Sequence, residues 1–277
     1  MDTARTLIDT NAMEWADTGI ANGQVKLLKM YDDFSYIDLY RIQTSGVAPA
    51  HVHLGPTEVL FLSGAVETIA GKAGRGFWVL EPGGAMHRAT QILEPGVVLN
   101  HTSGPLAMLG VDGTVPMLLY GQSLRATLSG KIHTLKGREL TNELFPEDYD
   151  SGITDMEQLE WKPSGYPGVD IRILRVFDNG HFTIMIKAED GSKIPARHYT
   201  APTDFFVMSG GIRFGDGAEA RADYWIYEPT GRIESAMTHV GETIYLATCT
   251  GAFLDLANDG TSIERVVDGH TIHKLAA

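Results

Sequence analysis

The stretch "PAHVHLGPTEVLFLSG", residues 49–64, returns later in the chain as "PARHYTAPTDFFVMSG", residues 195–210. The spacing between the two is 146 residues. At the same spacing "EWADTGIANGQVKLLKMYDDF", beginning at Glu14, returns as "EWKPSGYPGVDIRILRVFDNGHF", beginning at Glu160. So many matched positions indicate that the chain contains an internal duplication.

Each copy is dense in short β-type runs such as "FWVLEPGG" (77–84). This run is matched by "YWIYEPTG" (224–231), at a spacing of 147 residues because the second copy has one residue inserted before it. The runs are separated by Gly, Pro and Asp-Gly turn signals, a pattern typical of sandwiches and barrels. The sequence therefore predicts an all-β chain of two tandem barrels. We expect the first barrel in residues 1–114, a linker of mixed character in 115–155 and the second barrel in 156–277.

Composition limits the partners and the redox chemistry of the chain. A net charge of −13 over 277 residues disfavours nucleic acid and anionic membranes as partners. The single cysteine, Cys249, excludes an internal disulfide and a cysteine-based zinc site. The N-terminus lacks the apolar stretch of a signal peptide, and no run is long enough to span a membrane. We expect a cytoplasmic monomer or homodimer that acts on a small molecule.

Two histidines in the first stretch face the same way. On a strand, residues i and i+2 share a face, so His51 and His53 point together. A Gly-Pro turn follows, after which Glu58, Leu60 and Leu62 share a face whose apolar members indicate the interior. A buried carboxylate is costly unless a cation offsets it, and this favours a bound metal.

A third histidine follows the next strand. In "GFWVLEPGGAMH" the turn residues Pro-Gly-Gly are expected to place His87 at the start of a strand. Three imidazoles and one carboxylate could thus converge and leave coordination positions open, as in catalytic metal sites.

These motifs, "HVHLGPTE" and "GFWVLEPGGAMH", resemble the two motifs of the cupin superfamily of small double-stranded β-helix (jelly-roll) barrels. In those motifs His-x-His, a Glu four residues later and a His after Pro-x-Gly hold a divalent metal. The chain is most similar to the group that contains ChrR-type cupins, 2,4'-dihydroxyacetophenone dioxygenase and acetylacetone-cleaving enzymes. Because the resemblance covers both copies, it implies a bicupin. The implied ligands are His51, His53, Glu58 and His87.

The resemblance implies one divalent metal per chain, with Fe(II) favoured over Zn(II), Mn(II) or Ni(II). It also implies oxidative C–C cleavage of a small hydroxyketone or diketone, in which the metal ligands are the catalytic machinery. His101 and Gln91 are candidates to contact the metal ligands and hold them in place. Two alternatives remain open: an isomerase, lyase or hydrolase that uses the metal as a Lewis acid, and a non-catalytic metal-binding sensor of small molecules.

The second copy lacks all of the first copy's imidazole ligands. The matching positions hold Arg197, Tyr199, Asp204 and Glu234. We expect the Arg197 guanidinium to pair with Asp204 or Glu234 and to take the place of the missing cation, so that this barrel is degenerate and metal-free. The alternative is that this polar cluster binds a small anionic molecule.

Overall fold

The structure is a computed structural model in which almost all regular elements are β-strands. It describes residues 4–18, 22–31, 35–68, 70–84, 86–87, 90–110, 117–120, 124–126 and 152–272. In that part of the chain the helices are two single 3-10 turns, Thr10–Ala12 and Met156–Gln158. No helix among these residues has the length and apolar character of a membrane span. The predicted all-β class, with two tandem cupin barrels, is confirmed.

The strands up to residue 155 come from the first copy and the segments around it. They are β1 (Thr6–Asp9), β2 (Ala16–Asp17), β3 (Gly23–Met30), β4 (Tyr36–Ile42), β5 (Gly46–Ala48), β6 (His51–His53), β7 (Thr57–Phe61), β8 (Ala65–Thr68), β9 (Gly71–Gly74), β10 (Phe77–Glu81), β11 (Met86–His87), β12 (Thr90–Glu94), β13 (Gly96–Thr102), β14 (Leu106–Met108), β15 (Met117–Tyr120), β16 (Leu124–Ala126) and β17 (Gly152–Asp155). Antiparallel pairing joins them in the orders β17-β10-β7-β13-β4-β3-β2, β11-β6-β14-β15-β16 and β5-β12-β8-β9, with β1 elsewhere.

The second copy forms the remaining strands. They are β18 (Lys162–Tyr166), β19 (Val169–Val176), β20 (Phe182–Ala188), β21 (Lys193–Ile194), β22 (Arg197–Tyr199), β23 (Thr203–Arg213), β24 (Glu219–Arg221), β25 (Tyr224–Glu228), β26 (Ile233–Glu234), β27 (Met237–Cys249), β28 (Phe253–Leu256) and β29 (Ile263–Val267). They pair as β1-β25-β23-β27-β20-β19-β18, with β21 and β24 at its side, and as β26-β22-β28-β29.

The chain divides into two compact units, 14–158 and 1–13 with 159–277. This differs from the expected boundaries in two places. β1 lies in the second unit, where it pairs with β25, and β17, inside the expected linker, pairs with β10 of the first unit. An isolated short strand is unstable, so each is assigned to the unit whose sheet edge takes up its hydrogen bonds. The rest of the expected linker lies largely outside the described residues.

A glycine that ends the "LSG" and "MSG" motifs is required in both copies. Gly64 and Gly210 have φ of +79° and +68°. A Cβ on Gly64 would come within 2.6 Å of Gly96, and one on Gly210 within 2.4 Å of the Glu242 carbonyl oxygen. The duplication therefore preserved a backbone conformation that other residues rarely adopt.

Candidate metal centre

Three histidines meet inside the first unit. β6 and β11 are antiparallel neighbours in which His51 lies opposite His87, and His53 shares the face of His51. One ring nitrogen from each of the three lies within 4.8 Å of the others. The ring centroids are 4.9–5.1 Å apart. The predicted convergence of the three imidazoles is what the structure shows.

The Nδ1 atom of each ring has a partner that orients it. His51 Nδ1 donates to the Pro49 carbonyl oxygen at 2.9 Å. His53 Nδ1 is hydrogen-bonded to Thr57 Oγ1 at 2.8 Å, and His87 Nδ1 lies 3.4 Å from the Thr90 hydroxyl. Outer partners of this kind fix the tautomer of metal-binding histidines. The Nε2 atoms are therefore the ones left to bind a metal.

Burial keeps two of the rings uncharged. Burial, and next the neighbouring His87, lower the pKa of His51 to about 4. Burial, and next His51 and His87, hold the pKa of His53 well below its usual range. Both rings therefore offer a lone pair, which a metal requires, at neutral pH.

A carboxylate that the sequence analysis did not select lies beside one of the three histidines. Glu81, at the end of β10, is 4 % exposed, and its Oε2 lies 3.2 Å from His87 Nε2. That nitrogen is nevertheless buried without a properly oriented hydrogen bond in the described part of the chain. A buried nitrogen without a hydrogen bond, next to two uncharged imidazoles, fits a divalent cation held by the three rings, and the carboxylate beside His87 would offset part of its charge. The residues present therefore fit the metal that the fold implies.

Glu58 stands apart from this group. Neither glutamate is among the residues whose ligand atoms converge, but Glu81 lines the cavity, whereas the strand of Glu58 lines it with Thr57, Val59 and Phe61. Strand alternation then puts Glu58 and Leu60 on the opposite face. The prediction that Glu58 shares an interior face with Leu60 and Leu62 is wrong, because odd-numbered residues face the cavity both before and after the Gly-Pro turn. Four residues after His53, where the family motif has its Glu, stands Thr57.

The two residues expected to contact the metal ligands, His101 and Gln91, also face away from the interior. On β13 the lining residues are Val98, Asn100 and Thr102, so His101 between them points outward. On β12, Thr90 and Ile92 line the interior, and Gln91 is exposed.

A cavity of about 190 Å³ surrounds the histidines. Most of its wall is apolar, from Val59, Phe61, Val66, Val79, Ile92, Val98 and Met108. Polar side chains that reach it include Tyr40, Asn100 and Thr102. A cavity smaller than the ~300 Å³ of typical drug-sized sites suits a small ligand with few polar groups.

The four predicted residues of the second unit are buried, but they pair differently from the expectation. Arg197 and Tyr199 are 3 % and 0 % exposed, Asp204 is 5 % and Glu234 is 1 %. Arg197 Nε donates to Asp255 Oδ1 at 2.9 Å instead of to Asp204 or Glu234. The prediction of its partner is wrong because Glu234, opposite Arg197 on β26, accepts from two other arginines. Asp255 lies opposite Arg197 on β28, a neighbour that only the register reveals.

Glu234 takes its cations from elsewhere. Arg5 Nη1 donates to it at 2.5 Å and Arg232 Nη2 at 2.9 Å. Glu228, the counterpart of Glu81, is 0 % exposed. Burial, and next the Glu234 carboxylate, raise the pKa of Glu228 to about 8. The positions of Glu81 and His87 have thus become two carboxyls beside arginines.

Comparisons with known proteins give the family and the fold. A family model described as the ChrR cupin-like domain matches the chain twice, over residues 3–107 and 150–254. No curated protein matches the sequence. The structure is similar to that of a candidate dioxygenase from Nostoc punctiforme PCC 73102, with 13 % identity, a TM-score of 0.68 and coverage of 97 % of this chain and 87 % of that one.

Two further structures are similar. An oxalate decarboxylase matches with 12 % identity, a TM-score of 0.60 and coverage of 92 % of this chain and 81 % of that one. An acetylacetone dioxygenase from Acinetobacter johnsonii has 14 % identity over 42 % of this chain and 83 % of its own, and its TM-score of 0.39 is too low to carry an argument. At 12–13 % identity, the likeness to the first two structures shows the fold alone, two barrels in one chain.

Proposed function

The chain belongs to the ChrR cupin-like family, and on that premise we propose that its first barrel is the active site of a metal-dependent dioxygenase. Its substrate would be a small hydroxyketone or diketone, and the reaction a cleavage of a C–C bond. The observation that carries the proposal is the group of three histidines, with the orphaned Nε2 of His87 beside Glu81, at the wall of a largely apolar cavity.

Each residue has a definite part in this proposal. His51, His53 and His87 would hold the ion, and Glu81 would neutralise part of its charge, either directly or through His87. A bound Fe(II) would supply the redox chemistry with O2 that the protein side chains lack. The apolar wall, Val59 and Phe61 among it, would exclude water from the reacting atoms.

The metal has to be identified by measurement, because imidazole nitrogens suit Fe, Zn and Ni alike, and Mn prefers oxygen ligands such as the carboxylate nearby. The chain should be purified under anaerobic conditions and its metal determined by mass spectrometry. O2 uptake should then be followed with a panel of β-diketones and aryl hydroxyketones. Native iron together with substrate-dependent O2 uptake is the expected result.

The same experiment separates the alternatives. Turnover of a substrate without O2 uptake would replace the dioxygenase with a Lewis-acid isomerase, lyase or hydrolase. Tightly held zinc without turnover of any compound would instead identify a binding or sensor module, and the proposed activity would be wrong.

The partner proposed is a small molecule. The charge of −13 repels polyanions, so we infer that neither nucleic acid nor an anionic membrane binds. Light scattering on the purified chain would decide between the monomer and the homodimer that we propose.

A further inference from the structure

A hydrogen-bonded pair of polar side chains lies in the cavity wall apart from the histidines. Asp38 on β4 stands directly opposite Asn100 on β13. Asn100 Nδ2 donates to Asp38 Oδ1 at 2.9 Å, and Asn100 lines the cavity. Asp38 is 0 % exposed, and in the described part of the chain its Oδ2 is buried without a hydrogen-bond partner. A carboxyl in such a place is unfavourable for stability.

The second barrel shows that the fold does not need this pair. At the matching positions, Ile184 on β20 stands directly opposite Ala247 on β27, in the same register. They are 2 % and 1 % exposed and belong to the apolar core of that barrel. The pair therefore exists in the barrel that has the histidines and the cavity, and an apolar pair replaces it in the barrel whose histidine ligands are gone.

The next inward-facing positions on β4 and β13 are also polar in the first barrel and apolar in the second. Tyr40 and Thr102, which line the cavity, are matched in the second barrel by Ile186 and Cys249. Both counterparts are buried, at 5 % and 1 % exposure. A whole strip of polar groups across β4 and β13 has thus been replaced with an apolar one. This correlation within one chain points to a ligand as the reason for the strip.

We propose that Asp38 and Asn100 form a subsite that recognises a hydroxyl group of the ligand in the first barrel's cavity. Asp38 is the positioning residue: by accepting from Nδ2 it fixes the amide of Asn100. The amide oxygen of Asn100 is then left as an acceptor, and it selects ligands that present a hydroxyl donor. The inference rests on the proposed function in one respect only, that the ligand enters the cavity beside the metal.

The charge of the carboxyl agrees with a role in positioning. Burial raises the pKa of Asp38 to about 7, and the hydrogen bond from Asn100 opposes that rise. The titratable groups that interact with Asp38 are Tyr36 and Tyr40, and burial raises the pKa of both phenols above their usual value. Neither phenol ionises near neutral pH, so ionised Asp38 directs the Asn100 amide at pH above 7.

The test compares two probes that differ in one hydroxyl, α-hydroxyacetophenone and acetophenone. Their binding to the zinc-loaded chain is measured by calorimetry, so that no oxidation takes place. We expect wild-type protein to bind the hydroxylated probe about tenfold more tightly, the effect of one hydrogen bond. In the variant Asp38→Ile/Asn100→Ala, which carries the second barrel's residues, this preference should fall to about unity. Zinc content should not change.

A matched control comes from the neighbouring position. His101→Thr also installs the second barrel's residue, Thr248, but at a side chain that faces away from the cavity, and it should keep the preference. If the double variant does not fold, the single variant Asn100→Ala is measured in the same way. A preference that survives loss of the pair would overturn the inference, and so would a wild-type protein that binds neither probe or both equally. Absence of O2 uptake by the iron-loaded chain would refute the proposed function and leave this binding result standing.

Discussion

The two barrels of this chain share their strands and turns and differ in what fills them. The first encloses a cavity with three histidines and a strip of polar groups. In the second, Tyr199, Phe205 and Tyr245 pack with ring centroids 5.9–6.3 Å apart in an apolar core. A duplicated fold thus separates what a barrel needs in order to fold from what it needs in order to act.

The largest expected difference between the two barrels is metal binding by the histidines of the first. We expect His51→Ala/His87→Ala to lose bound metal altogether, because a single remaining imidazole and a carboxylate do not hold a divalent ion tightly. Metal analysis of the purified variant is the measurement. His270→Ala, which removes an exposed histidine of the second unit, is the control and should retain the metal. Full metal content in the double variant would refute the centre.

The second barrel depends on a buried ion pair where the first has His51 opposite Met108. Replacing Arg197 with Met leaves Asp255 buried and without its main cation, so we expect a loss of about 3–5 kcal/mol in the free energy of unfolding. Hydrogen exchange followed in each unit separately would measure it. The paired variant Arg197→Met/Asp255→Leu should recover most of the loss, and equal losses in the single and paired variants would contradict this explanation.

Two glutamates of the first barrel, Glu81 and Glu58, give the next test. Glu81→Gln should weaken metal binding about 10- to 100-fold, the usual effect of removing a carboxylate beside a ligating histidine. Glu58→Gln, on the opposite face of β7, should leave the affinity within about twofold of wild type. Competition with a chelator measures both. The reverse ranking would restore Glu58 as the ligand that the motif suggested.

Some residues of the metal centre can be predicted from the sequence and others cannot. The repeat follows from matched positions in the sequence. That His51 and His53 share a face follows from their spacing, because side chains alternate between the two faces along one strand. Glu58 was misplaced because spacing does not tell how a turn changes that alternation. Glu81 could have been predicted as a residue of the cavity, because the second copy has a glutamate, Glu228, at the matching position. Glu81 also shares a face of β10 with Val79, which lines the cavity.

Other features depended on contacts between distant segments. Asp255 stands 58 positions from Arg197, and only the register of β22 and β28 makes them partners. The placement of β1 in the second unit and of β17 in the first likewise depends on which sheet edge accepts each strand. Local patterns carry no information of that kind.

A pH-dependent effect concerns Asp38, where the second barrel has Ile184. Because burial raises the pKa of Asp38 from 3.8 to about 7, the folded chain keeps a proton that the unfolded chain releases near pH 4. The contribution of Asp38 to stability should therefore fall as the pH rises from about 4 to 7, by about 1 kcal/mol per pH unit, and level off above that. In Asp38→Asn this contribution is absent. Denaturant unfolding of both metal-free proteins should show the variant gaining on wild type across that range, and parallel pH profiles would contradict the raised pKa.

The smallest expected effect concerns a feature that both barrels keep. Arg41 lies 4.3 Å from the ring centre of Trp15, and the matching Lys187 lies 5.0 Å from that of Trp161. Each cation should contribute about 0.5–1 kcal/mol by its attraction to the indole. Because Arg41 also contacts Gln24, the energy has to be isolated by a double-mutant cycle, with Arg41→Gln and Trp15→Leu in one barrel and Lys187→Gln and Trp161→Leu in the other. Similar coupling energies in the two cycles would show that the duplication preserved a stabilising contact while the interior diverged, whereas coupling in the first barrel alone would connect the contact to the cavity instead.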